Sequence, residues 1–187
     1  IHERLVGSEM CKETGEAQPV AASGGLADVA GSLPKALVEE GHEACVVVPL
    51  YVNTIKQQWR DQMTYVTNFS VPVGWRNQYC GLFTAKINNV TYYFLDNEYY
   101  FKRDFGLYGY YDDAERYAFF SRAVLEMLKV IDFKPQIINS NDWQCALIPV
   151  YYSIFYRNDE KLWGIKNVFT IPVSYTHLRA HETLMNL

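Results

Sequence analysis

The sequence predicts an α/β fold, a mainly parallel sheet covered by helices. Three observations carry that expectation. Ala44 to Leu50 (Ala-Cys-Val-Val-Val-Pro-Leu) is an unbroken apolar run of strand length, the signature of a strand buried on both faces. A helical pattern from Gly25 to about Glu40 precedes it, opened by two adjacent glycines. Beyond Asp112, helical and strand-like segments alternate, which favours parallel strands joined by helical crossovers.

Arg4 to Ser8 reads as a first strand, and residues 9 to 22 read as a loop punctuated by Gly15 and Pro19. In the helix that follows, Leu26, Val29, Leu33 and Leu37 are spaced by three or four and predict one apolar face. Pro34 inside that pattern should kink or restart the helix, and Gly41 supplies its stop. Met63 to Val71, Tyr79 to Ile87 and Val90 to Leu95 are β-branched and aromatic, with Asn88-Asn89 as a turn. They predict an antiparallel hairpin or meander inserted into the α/β pattern. Asp96 to Tyr111 is a long aromatic loop, and loops of that length are usually functional. Asp112 and Glu115 have capping-box spacing ahead of a helix whose buried stripe is Phe120, Val124, Met127, Leu128 and Ile131. Gln136 to Asn139 is a short strand, Asn141 or Asp142 caps a helix through Tyr156, and Asn167 to Ile171 is a further buried strand.

A net charge of −4 and the lack of a Lys/Arg stripe exclude a nucleic-acid partner. No apolar stretch is long enough for a membrane helix. Cys11, Cys45, Cys80 and Cys145 have no zinc-ribbon or thioredoxin spacing. Cys45 and Cys145 read as buried free thiols, so a cytoplasmic location is expected. Neither a metal nor a cofactor is expected: His177 and His181 are four apart, but Leu178 stands where a zincin-type motif has glutamate.

Ser23-Gly24-Gly25, with Asp28 one turn on, admits two readings. Residues without Cβ let a diphosphate approach backbone N–H groups at a helix N-terminus. Alternatively, the glycines serve a tight turn that needs positive φ. The run from Ser23 to Leu37 (SGGLADVAGSLPKAL) resembles the opening motif of bacterial glycogen synthases and plant starch synthases. The resemblance implies that this turn faces a sugar nucleotide, with Ser23, Gly24, Gly25 and Asp28 as binding residues. The family's Lys-Thr-Gly-Gly is Ala22-Ser23-Gly24-Gly25 here, so the phosphate-binding lysine is absent. The family's preceding Ser-Glu aligns either with Ser8-Glu9 by strand context or with Glu16 by spacing to the glycines.

Asn141 to Pro149 (NDWQCALIP) resembles the family's His-Asp-Trp-His-Thr-Ala-Leu-x-Pro, which implies that Asp142 lines the glucose and acceptor side and acts in catalysis. Its plain alternative is an N-cap. Trp143 is expected to pack beneath the site, and Gln144 replaces a histidine. Leu95 to Arg103, continuing through Gly106-Leu107-Tyr108-Gly109 to Asp112-Asp113-Ala114-Glu115-Arg116, resembles a third family segment. Tyr108 is then a candidate for contacting acceptor glucan, against the reading that it packs its own loop.

The resemblance covers residues 4 to 171. It implies the N-terminal, Rossmann-like half of a two-domain (GT-B) retaining glycosyltransferase. That enzyme moves glucose from ADP-glucose to the non-reducing end of an α-1,4-glucan such as glycogen, and needs its C-terminal domain. Where the family continues Val-Phe-Thr-Ile with His-Asn, this chain has Pro172, and Pro172 to Leu187 resembles translated adapter sequence, a non-native tail. The domain is therefore taken as 1–171 with a tail of 172–187, and the fragment alone is expected to be inactive. A glycosyltransferase using another nucleotide sugar and a non-catalytic glucan-binding module are the alternatives.

Overall fold

A computed structural model describes residues 9–171. The strand expected at Arg4–Ser8 and the segment Pro172–Leu187, with His177 and His181, lie outside the described residues.

The described residues form one seven-stranded sheet. In chain order its strands are β1 (Glu9–Glu13), β2 (Glu43–Pro49), β3 (Thr64–Val73), β4 (Arg76–Ile87), β5 (Val90–Asp96), β6 (Ile137–Asn141) and β7 (Lys166–Thr170). Their order across the sheet is β3-β4-β5-β2-β1-β6-β7. β5-β2-β1-β6-β7 is parallel throughout, while β3-β4-β5 is an antiparallel meander continuing the same sheet. The Asn88-Asn89 turn has positive φ at both residues, as a tight hairpin with right-handed strand twist requires.

β1 corrects the loop reading of residues 9 to 22. Lys12 and Glu13 disguise a central strand, because both are fully buried there. Lys12 is tolerated because its ammonium donates to Asn139 Oδ1 (2.9 Å) and Asn141 Oδ1 (3.0 Å) on β6. A β1 ending at Glu13 also places Glu16 just past the strand, where its carboxylate accepts from the Ser23 N–H.

α1 (Gly25–Glu39) runs without interruption through Pro34. Its buried face is Leu26, Ala27, Ala30 and Pro34, whereas Val29 and Leu33 are exposed. The reason is close approach: a Cβ on Gly31 would meet the Gln18 carbonyl oxygen at 2.6 Å. Small residues, and not the largest ones, set the contact face. After the short α2 (Gln57–Arg60) and the meander, the long aromatic loop opens with one helical turn, α3 (Glu98–Phe101), whose Tyr100 and Phe101 enter the core.

α4 (Asp113–Leu128) buries Phe120, Val124, Met127 and Leu128 as its pattern predicts, whereas Ile131 of the expected stripe lies past the helix and is half-buried. The capping box does not form. Asp112 makes no side-chain cap and pairs with Arg103, while Glu115 takes Arg76 and the Tyr100 hydroxyl. After β6 the expected helix divides into a 3₁₀ turn (Trp143–Cys145), α5 (Leu147–Tyr151) and a π-helical stretch (Tyr152–Tyr156).

Candidate active site

Parallel strands with helical crossovers gather their following loops at one edge of the sheet, outside the strands' carboxyl ends. The loops after β1 and β6 carry most of the candidate residues, and the loop ahead of α4 brings in Tyr108.

The loop after β1 is held at several points. Tyr51, beyond β2, donates to the Gly15 carbonyl (2.8 Å), and Gln18 N–H donates to Ala27 of α1 (3.0 Å). The Ser23 N–H donates to the Glu16 carboxylate in a short bond. Ser23, Gly24, Gly25 and Asp28 are exposed at the end of this loop and the start of α1.

The turn reading of the two glycines fails. Gly24 is extended, with φ −168°, and neither residue has positive φ. A Cβ on either would meet nothing within 4 Å. Neither backbone conformation nor packing inside the chain requires glycine here, and the open space lies at a helix start, where bare backbone suits an anion. Glu16 already uses the Ser23 amide, however, and Ala22 adds no positive charge.

The loop after β6 carries Asp142 in a conformation that side-chain-bearing residues rarely adopt, φ 62° and ψ −177°. Such a backbone costs about 1–3 kcal/mol and persists only where its surroundings over-determine it. Asp142 N–H donates to Thr170 O of β7 (2.8 Å), and Asp142 Oδ1 accepts from Trp143 N–H (2.7 Å). The capping reading therefore holds at this residue. Just before it, the Asn141 amide donates to Glu13 O (3.0 Å) and Asn139 O (2.7 Å), and the Asn139 amide donates to Thr170 Oγ1 (2.9 Å). With Lys12, these asparagines tie β1, β6 and β7 together immediately beneath Asp142.

Tyr108 joins the two loops. Its ring packs against Tyr117 (5.9 Å) and Trp143 (5.8 Å), and its hydroxyl and the Gln144 side chain flank Gly15, where a Cβ would meet them at 3.0 and 2.7 Å. Tyr108 therefore packs inward as well as bordering the site. Trp143 is half exposed over Tyr117, so it is a rim residue and not the buried support the sequence predicts. Both the Tyr108 hydroxyl and Gln144 Oε1 are buried without a hydrogen-bond partner. Burial pushes the Tyr108 hydroxyl well above the ordinary tyrosine range.

Tyr108 thus meets the Trp143–Gln144 turn that follows Asp142, and Ser23–Asp28 is linked to them through Gly15 and Glu16 of one loop. Sequence reading missed Gly15 as a close-approach glycine, and it missed the Lys12–Asn139–Asn141 ladder. The signal for the ladder was a lysine and two asparagines inside strand-length runs. Among the described residues no group of three His, Cys, Asp or Glu side chains could hold a metal. Two clefts, of about 280 and 570 Å³, lie at the opposite edge, by the amino ends of β2 and of β6–β7.

The family model for the starch synthase catalytic domain matches residues 13–186. Glycogen synthase of Clostridium botulinum (strain Alaska E43 / Type E3) is 52% identical over 157 residues, 83% of this chain and 32% of that protein. Glycogen synthase of Exiguobacterium sibiricum is 51% identical over 175 residues, covering 92% and 36%. Among solved structures, the catalytic domain of Starch Synthase IV from Arabidopsis thaliana, bound to ADP and acarbose, superposes with a TM-score of 0.80 at 28% identity. That match covers 88% of this chain and 34% of the plant one. The chain spans about a third of the length of the glycogen synthases it matches. An unbroken match across nearly the whole chain, on the same α/β sheet, makes it a member of the starch synthase catalytic domain family.

Proposed function

We propose that this chain is the N-terminal, donor- and acceptor-facing part of a retaining glucosyltransferase that moves glucose from ADP-glucose to the non-reducing end of an α-1,4-glucan. The observation that carries this reading is the Gly24–Gly25 pair at the start of α1, with open space and no internal reason for glycine, on the same sheet edge as the strained Asp142.

In this reading the bare backbone at the start of α1 lets the donor diphosphate lie close, with Ser23 and Asp28 beside it. The Asp142 carboxylate accepts from a hydroxyl of the transferred glucose or the acceptor, its direction fixed by the bonds on either side. Tyr108 and Trp143 offer ring surface and edges to the acceptor glucan. The departing ADP needs positive charge that this turn lacks. That charge comes from the second domain, and removing even one preorganised donor of this kind costs about a hundred- to a thousand-fold. The 187-residue chain alone therefore gives no turnover. We place the enzyme in the cytoplasm, where the four buried free thiols are stable. We also take Pro172–Leu187 as a non-native tail, with His-Asn as the native continuation.

The test is glucose transfer to glycogen by the longer protein, with ADP-glucose and UDP-glucose compared, alongside a single-turnover assay of the short chain. Transfer by the short chain overturns its predicted inactivity, and a preference for UDP-glucose overturns the donor. Sequencing the source DNA past codon 171 tests the tail. A second reading, a glucan-binding module without catalysis, is favoured by Ala22 and by the Glu16 bond at Ser23. Retention on amylose without transfer by the longer protein would establish it.

A further inference from the structure

Residues 102–112 contain no regular structure, yet side chains of α4 hold Leu107, Gly109 and Tyr110 within them. Arg116 is fully buried, and its guanidinium ties several groups together. Nε donates to Tyr100 O (2.7 Å), Nη2 to Leu107 O (3.2 Å) and Nη1 to Asp113 Oδ1, and the plane lies over the Tyr110 ring at 5.0 Å. Arg103 lies over the same ring at 5.1 Å and pairs with Asp112. Tyr110 is thus flanked by two guanidinium groups, each with its own carboxylate. Its hydroxyl closes the loop on itself by bonding both N–H and C=O of Phe105.

The consequence falls on Tyr108. The carbonyl before it, Leu107 O, is held by Arg116 and by the Tyr117 hydroxyl (3.2 Å). The amides after it, Gly109 N–H (2.7 Å) and Tyr110 N–H (3.2 Å), both donate to Asp113 Oδ2. Backbone atoms on either side of one residue are therefore fixed by Asp113 and Arg116, which also bond each other. Gly109 has φ 94°, which lets the chain turn directly after Tyr108.

We infer that Asp113 and Arg116 are positioning residues for acceptor binding: they clamp the backbone on both sides of Tyr108 and aim its ring at the glucan. This rests on the proposed reading of Tyr108 as an acceptor contact. Neither residue touches substrate. A half-loosened loop would leave Tyr108 in many orientations, and the acceptor would have to order it on binding. The donor, bound at the glycine turn, would not be affected.

The experiment uses the longer protein with Asp113→Asn, Arg116→Lys and Tyr108→Ala, measuring KM for glycogen and for ADP-glucose, kcat, and amide exchange of residues 108–110 against β2. Asp113→Asn keeps the volume of a side chain that is partly exposed, so it remains informative if the buried Arg116→Lys fails to fold. The expected result is a glycogen KM raised about tenfold with the ADP-glucose KM within about twofold. Exchange at Gly109 and Tyr110 should quicken while β2 stays protected. An unchanged glycogen KM despite quickened exchange overturns the inference. So does unchanged exchange, or an equal change in both KM values. If the unaltered enzyme transfers no glucose, the proposed function fails by itself. Retardation in a glycogen-containing gel then reads the same three variants without turnover. If Tyr108→Ala leaves glycogen affinity untouched, the acceptor role of Tyr108 is lost and the inference with it.

Discussion

Asp142 holds a backbone conformation that glycine adopts freely, so its carboxylate is retained at a cost in stability. Asp142→Gly relieves that cost and gives up an N-cap worth about 1 kcal/mol. The expected outcome is a thermal midpoint in the longer protein that is unchanged or higher, with transfer reduced by about a hundredfold or more. Asp142→Ala, which keeps the strain, should lower both. A stability loss in the glycine variant would show that the conformation is not strained. Glu13 gives a second prediction. Burial raises its carboxyl from 4.5 to about 8, outweighing the Cys11 thiol, its own backbone N–H and neighbouring Lys12, which lower it; the Cys45 and Cys145 thiols also lie near it. The unfolded chain releases that proton at the ordinary carboxylate pKa and the folded chain keeps it. Stability is therefore full below pH 4.5 and falls as pH rises toward 8. Burial lowers Lys12 from 10.5 to about 8, which acts only above that window and in the opposite sense. Urea unfolding at about pH 5 and pH 7.5 should differ by on the order of 1–3 kcal/mol, and Glu13→Gln should flatten the difference.

At the level of elements, α1 separates two uses of glycine. Gly31 is a packing glycine, and Gly31→Ala would drive a Cβ into the Gln18 carbonyl oxygen, costing about 1–3 kcal/mol. Gly25 is a surface glycine in the first turn, and Gly25→Ala should leave stability equal or raise it by about 0.5 kcal/mol. In the longer protein the same change should weaken ADP-glucose binding, measured by isothermal titration. Undiminished binding would remove the donor role of this turn. α4 makes a parallel point about charge. Asp112 and Glu115 have capping-box spacing, but arginines on the preceding loop and on β4 outcompete the helix's own N–H groups for them. The Arg76–Glu115 pair is more than a third exposed on both sides, so Arg76→Ala should shift stability by less than about 1 kcal/mol.

For the whole molecule, the parallel strands put the loops that carry the candidate residues on one edge and their amino ends on the other, where the two clefts lie. Among the described residues β7 ends the sheet with one side unpaired, and Val168, Phe169 and Ile171 are exposed along it. Leu147, Val150 and Ile154 form an exposed apolar row on the adjoining helical stretch. An open strand edge beside apolar side chains is a template for self-association. The 187-residue chain alone should therefore elute above monomer size at micromolar concentration, and the longer protein, about two and a half times its length in the relatives, should not.

The fold class, the parallel strand at Ala44–Leu50, the meander, most of the stripe of α4 and the family were legible in the residues, because apolar periodicity and runs of motif are local properties of the chain. The sequence also singled out Gly24–Gly25, Tyr108 and Asp142 as candidates, and the structure places them in the loops after β1, before α4 and after β6. That Glu9–Glu13 is a central strand emerged only from the assembled sheet, since the asparagines that make Lys12 tolerable lie more than a hundred residues away on β6. The same holds for the face of α1, set by the approach of Gln18 to Gly31, and for the carboxylates of Asp112, Asp113 and Glu115, each claimed by a partner that spacing alone does not rank. Burial and partner choice depend on which distant segments meet, and that is fixed only when the sheet closes its order.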